Sequence, residues 1–199
     1  MVLRRAALIT GVLWLLAAWS PLPLLNALIP SDGYQLATDI PCGGQARQKL
    51  DVYVPRDLPP GESRPVVVFF YGGRWQSGDR ADYRFAAEAL TSQGFVAVVP
   101  DYRLYPQVRF PDFVHDAAAA VRWTMSRIAR YGGDTQRLFV MGHSAGAHLA
   151  ALLTLDERSL RRVGLHPQAL RGMIGLAGPY DFLPITDEKL KDVFGPQAQ

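Results

Sequence analysis

The sequence is poor in cysteine: Cys42 stands alone among 199 residues. That excludes an intramolecular disulfide and a zinc site built on cysteine thiolates. Histidine is nearly as scarce, with four residues at 115, 143, 148 and 166. Only His143 and His148 come within ligand spacing, so no metal site is expected, and no motif calls for an organic cofactor. A strong charge of one sign is also missing. The net charge is +3, and the 18 arginines among the 21 basic residues are scattered. Without a concentrated basic face carrying aromatics, a nucleic-acid partner is not expected. Internal repeats and low-complexity tracts are absent. Apolar residues make up 49 % and charged residues 20 %, enough for a sizeable core, which excludes disorder as the main state. The length allows one domain and a tail.

The tail is the first thirty residues. Arg4 and Arg5 are followed by a stretch without charge from Ala6 to Ser31, whose apolar centre runs from Ala6 to Trp19. A positive end before a hydrophobic stretch reads as a signal anchor or a secretory signal peptide, which puts the domain on the extracytoplasmic side. A helix from Ala6 to Ser20 would be about 22 Å long, short of a hydrocarbon core of about 30 Å. Shortness favours a cleaved signal, whereas Pro21 after the best cleavage pair, Ala18 and Ser20, favours a retained anchor. Residues 31–199 form the second region.

This region alternates strands and helices. Lys49–Val54 alternates polar and apolar residues, as a half-buried edge strand does. Val66–Tyr71, Phe95–Val99, Arg137–Met141 and Met173–Ala177 are continuous apolar runs, expected as strands buried on both faces. Helices are expected over Asp82–Gln93, from Pro111 to about Tyr131, and over Ala145–Leu155. Such alternation predicts an α/β fold, a mostly parallel sheet with helices on both faces.

The third buried strand runs into Gly142-His143-Ser144-Ala145-Gly146, and a helix follows. A serine between strand and helix must occupy a sharp turn, where flanking side chains would collide with backbone. Its hydroxyl then projects from the carboxyl edge of the sheet, at a helix N-terminus that favours developing negative charge. The first buried strand ends in Tyr71-Gly72-Gly73-Arg74-Trp75, a loop whose glycines allow backbone N–H groups close to a substrate. Both turns face the crevice where open α/β sheets bind ligands.

These segments, with Pro100-Asp101-Tyr102-Arg103-Leu104, the helix from Asp116 to Trp123 and Tyr131-Gly132-Gly133-Asp134, resemble the α/β-hydrolase superfamily over residues 50–181. The chain is most similar to bacterial carboxylesterases of the hormone-sensitive-lipase-like and feruloyl-esterase-like type. The resemblance implies Ser144 as nucleophile and the N–H groups of Gly73, Arg74 and Ala145 as oxyanion donors. Tyr71 stands where the family has histidine. Asp101-Tyr102-Arg103 becomes a structural turn, and Asp116 a helix residue paired with a nearby base. The family also implies an acid and a histidine after Ser144, on later strands. Only Met173–Ala177 remains as a strand, so the last strands and helices of the fold, the acid and the base are expected to be missing. His166 falls at the wrong end of the sheet, His148 beside the elbow, His143 toward the oxyanion loop or core, and Asp181 after the last strand.

Two main readings follow: a serine esterase acting on a small-molecule ester, or a membrane-anchored pseudohydrolase that binds a ligand or partner without turnover. A peptidase of the same fold is a third. A chain from Ser31 to Gln199 is expected to hydrolyse p-nitrophenyl acetate negligibly. Robust turnover lost in Ser144→Ala would contradict the missing base.

Overall fold

The computed structural model describes residues 21–195. Helix α1 (Pro21–Leu28) leads to strands β1 (Tyr34–Pro41), β2 (Lys49–Pro55) and β3 (Arg64–Phe70). Then come α2 (Arg84–Ser92), β4 (Val96–Pro100), α3 (Asp112–Arg127), β5 (Gly133–His143), α4 (Ala145–Leu155), α5 (Glu157–Arg161), β6 (Gly172–Leu176) and α6 (Glu188–Phe194). The six strands form one sheet in the order β1-β2-β4-β3-β5-β6. The first two join antiparallel, and β4, β3, β5 and β6 run parallel. The expected helix Ala145–Leu155 matches α4 residue for residue.

The chain moves from β3 to β4 in one direction and from β4 to β5 in the other. Because βαβ crossovers are right-handed, the reversal puts α2 and α3 on opposite faces. Side-chain alternation agrees: Phe69 and Met141 share a cavity lining with α2, while a Cβ on Gly142 would strike α4 backbone. Fully buried Val66, Val68, Phe70, Val96, Val98 and Val140 give the sheet its centre, against Val121 of α3 and Leu149 and Leu153 of α4. Each such aliphatic side chain contributes about 1.5–3 kcal/mol by leaving water.

Two expectations need correction. Lys49–Val54 is no edge strand. It lies between β1 and β4, and Leu50, Asp51, Val52 and Tyr53 are all buried. The edge belongs to β1, whose polar residues and bulge between Ala37 and Ile40 blur the alternation that would have announced it. At the other side β6 is not buried on both faces. It is the last strand in the described sheet, with Ile174 44 % and Leu176 43 % exposed. An apolar run was read as burial there, but no described strand pairs its outer edge.

Helix α1 docks through Asn26, whose side chain donates to Ala81 O and accepts from Phe85 N–H, while Arg84 donates to the Asn26 carbonyl. Among the described residues no helix is long and apolar enough to cross a membrane. The run Ala6–Trp19 lies outside them.

The turn after β4 is fixed by one carboxylate. Asp116 on α3 is fully buried and accepts from Arg103 Nε at 2.8 Å, Arg103 Nη2 at 2.7 Å, the Arg103 backbone N–H at 2.9 Å and Gln48 Nε2 at 2.6 Å. This is the expected partner of Asp116. Removing one side of a buried pair leaves the other charge uncompensated. Asp116→Ala is therefore expected to lower the unfolding free energy by about 3 kcal/mol or more in urea titration; a loss under 1 kcal/mol would contradict the assigned role.

Candidate active site

Strands β3 and β5 pair in parallel with Phe70 opposite Gly142. The residues that follow each strand, Tyr71-Gly72-Gly73-Arg74-Trp75 and His143-Ser144, are therefore neighbours at the carboxyl edge. They stand at the point where the chain order reverses, where such sheets bind ligands.

Ser144 connects β5 to α4 with φ 53° and ψ −117°, a left-handed conformation that costs a non-glycine residue about 1–3 kcal/mol. Contacts on both sides hold it there. Its N–H donates to Leu176 O at 2.8 Å, and its carbonyl accepts from Ala147 N–H at 3.0 Å and His148 N–H at 3.2 Å. The turn requires glycine on both flanks. A Cβ at Gly142 would lie 2.1 Å from Gly146 O, and one at Gly146 would lie 2.0 Å from Phe70 O. The spacing of the two glycines around the serine thus reflects the collision that the sequence pattern implied.

The facing loop is as tightly placed. Gly73, Arg74 and Trp75 have φ of 125°, 56° and 59°, and the Gly73 carbonyl accepts from Gln76 and Ser77 N–H. Among the described residues, the N–H groups of Gly73, Arg74 and Ala145 donate to no protein acceptor. They remain available to a substrate oxygen. Gly72 abuts the elbow, for a Cβ there would meet Ser144 Cβ at 3.1 Å and His143 Nδ1 at 3.0 Å.

Tyr71 anchors the loop from beneath. It is fully buried, stacked on Tyr83 and Tyr102, and its hydroxyl donates to Asp101 Oδ1 at 2.6 Å while accepting from Arg47 Nη2 at 3.0 Å. Burial first, and the Asp101 carboxylate second, push its hydroxyl pKa far up, so it stays a donor. Asp101 also receives the backbone N–H and guanidinium of Arg80, which reaches Asp51 at 2.8 Å and Asp39 at 2.7 Å. Asp101-Tyr102-Arg103 is the expected structural turn, and its charge explains how tyrosine can stand at position 71.

Trp75, 3 % exposed, packs with His148, Phe182, Phe194 and Phe113 at ring-centroid distances of 4.8–6.2 Å. Together with Arg74, Phe182 and Leu190 it bounds a cavity of about 270 Å³ that opens on Ser144. Sequence reasoning missed Phe182, Leu190 and the arm that carries them, because Gly178–Asp187 has no helical or strand period. The Asp187-Glu188 start of α6, with Asp187 accepting from Lys189 and Leu190 N–H, was the only legible signal.

No histidine lines this cavity. His143 points to the other face, where with Met141 and Leu176 it borders an apolar cavity of about 450 Å³ under α2. His166 lies near Glu157, 3.5 Å away, in the segment leading into β6 and so at the opposite end of the sheet. His115 faces Asp112 on α3. Asp181 is exposed. Among the described residues, no cluster of histidine, cysteine and carboxylate could hold a metal. His148 is buried among Trp75, Phe182 and Phe194, its Nδ1 without a hydrogen-bond partner.

Burial lowers the pKa of His148 to about 4. The unfolded chain then binds a proton more readily than the folded one between about pH 6.5 and pH 4. Stability from this group is complete above pH 6.5 and is lost as pH falls through that window. Acidification from pH 7 to 4 is expected to cost the protein about 3 kcal/mol more than it costs His148→Leu, compared by urea titration at each pH. Equal pH slopes would show that this ring is protonated in the folded state.

The chain as a whole is similar to known proteins. The BD-FAE family model covers residues 50–196. The chain is 32 % identical over 157 residues to a probable isoprenylcysteine alpha-carbonyl methylesterase of Oryza sativa subsp. japonica, covering 77 % of this chain and 37 % of that protein. It is 33 % identical over 145 residues to Esterase LipC of Mycobacterium tuberculosis, covering 70 % and 36 %. Esterase B of Lactobacillus rhamnosis superposes with a TM-score of 0.69 at 24 % identity, over 87 % of this chain and 58 % of that one, which shows a shared fold. Thermogutta terrifontis esterase 2 does so with 0.63 at 27 %, over 84 % and 64 %. The chain spans a little over a third of the length of those two curated relatives. Because the family model matches most of the chain, this protein belongs to the BD-FAE family, and it has the α/β-hydrolase fold.

Proposed function

We propose that this chain carries the nucleophile and the oxyanion hole of a serine esterase acting on carboxylic esters. The observation that carries the reading is the placement of Ser144, on a strained turn, across the crevice from the unused N–H groups of Gly73 and Arg74. The esterases among its relatives support it.

Ser144 Oγ attacks the ester carbonyl carbon as its proton passes to a base. The carbonyl π electrons move onto oxygen, where the N–H groups of Gly73, Arg74 and Ala145 receive the charge. Collapse of the tetrahedral species expels the alcohol, which takes its proton from the base and leaves Ser144 acylated. Water, activated by the same base, then releases the acid. Trp75 positions the oxyanion loop, and Gly142 and Gly146 allow the turn.

The base and its acid partner are in this reading residues other than those that line the described Ser144 cavity. The support is that no described histidine shares the Ser144 cavity, and that the curated relatives are far longer than their aligned parts. The N-terminal residues, Arg4-Arg5 followed by Ala6–Trp19, are proposed to hold or deliver the domain on the extracytoplasmic side of a membrane.

The test uses the protein expressed from its whole gene with p-nitrophenyl butyrate. Hydrolysis is expected, and Ser144→Ala is expected to lower kcat by about four orders of magnitude or more. Absence of hydrolysis by the wild type, with ligand binding retained, would overturn this reading in favour of a non-catalytic pseudohydrolase.

A further inference from the structure

The segment from Gly178 to Gly195 lines the Ser144 cavity through Gly178, Pro179, Phe182 and Leu190. Its inner side is apolar: Phe182 and Phe194 pack against Trp75 and His148, and Phe110 N–H donates to Val193 O at 2.9 Å. Its outer side carries one tie to the loop opposite. Arg74 Nη2 donates to Asp187 Oδ2 at 2.5 Å. Asp187 also accepts from Lys189 and Leu190 N–H at the start of α6, so the same carboxylate orients the turn that presents Leu190. Arg74 is the one charged residue lining the cavity, and its φ of 56° is a backbone conformation that non-glycine residues seldom adopt.

We propose that the Arg74–Asp187 ion pair clasps this arm onto the loop at 72–75. Asp187 is thereby a positioning residue, which holds Phe182 and Leu190 as the wall that restricts the site to short acyl chains. The proposal rests on Ser144 being the acyl-accepting nucleophile. The cavity supports the size limit. Phe182 and Leu190 stand in its wall beside Ser144, and its volume is about 270 Å³. The pair is exposed, 58 % at Arg74 and 43 % at Asp187. An exposed pair contributes modestly, so breaking it shifts the balance of arm positions by a factor of about two to five rather than unfolding the arm. High salt screens such a pair in the same direction.

The experiment uses the protein from its whole gene, with two readouts. The first is the ratio of kcat/KM for p-nitrophenyl butyrate to that for p-nitrophenyl octanoate. Asp187→Asn is expected to lower this ratio about two- to fivefold, and 1 M sodium chloride to do the same to wild type but not to the variant. Arg74→Gln, which removes the pair from the other side and leaves the Asp187 turn intact, is expected to lower the ratio by a similar factor. The second readout needs no turnover: the fluorine resonance of 5-fluorotryptophan at Trp75, assigned with Trp75→Phe and followed in a Ser144→Ala background. Asp187→Asn is expected to shift or broaden it, and Arg74→Gln to do the same. An unchanged ratio and an unmoved resonance in Asp187→Asn overturn the clasp. If the wild type hydrolyses neither ester, the esterase reading fails, and with it the acyl limit. The Trp75 resonance still decides the clasp, a shift supporting it and an unmoved signal overturning it.

Discussion

The parallel pairing of β3 with β5 governs the rest of the molecule. Phe70 opposite Gly142 puts two sharp turns side by side at one sheet edge. Both turns are then pressed together so closely that a Cβ at Gly142 or Gly146 would strike backbone and one at Gly72 would crowd His143 and Ser144. The strain at Ser144 and at Gly73–Trp75 persists because the sheet behind it is buried and continuous. A serine on an ordinary surface turn would relax into a commoner conformation and lose its alignment with the opposing N–H groups. Here the close-packed core holds it.

The same edge depends on a buried charge network. Asp101 sits under the loop at 71–75 with Tyr71, Arg47 and Arg80 as its partners, and Arg80 continues the chain of charges to Asp51 and Asp39. A buried carboxylate without partners would take up a proton or rearrange. With them it fixes the loop from below, while Trp75 and its aromatic neighbours fix it from the side. Tyrosine at position 71 fits this network because it is long enough to reach Asp101 and flat enough to stack between Tyr83 and Tyr102.

The central elements were legible because their causes are local. The elbow glycines, the continuous apolar strands β3 and β4, and the stop at Gly132, with φ 74°, all act within a few residues of where they stand. The Asp116 partner was legible only through the family resemblance, since Arg103 and Gln48 reach it from other elements. What could not be read depends on distant chain. Whether β2 is an edge depends on β1, and β1 hides its alternation behind a bulge and polar residues. Whether β6 is buried depends on what lies on its far side. The wall of the cavity comes from Phe182 and Leu190, in a stretch whose conformation is set by an aromatic cluster and an ion pair to Arg74 rather than by its own periodicity. No described histidine side chain lines the Ser144 cavity, and the order of residues along the chain had pointed to none that would.

The central claim is that Ser144 is the atom that takes the acyl group. The direct measurement is the intact mass of the whole-gene protein after brief exposure to a p-nitrophenyl alkylphosphonate, followed by peptide mapping. The account predicts a single added phosphonyl group, located on the peptide containing Gly142–Gly146 and absent in Ser144→Ala. Labelling at another residue, or an equal adduct in Ser144→Ala, would contradict it.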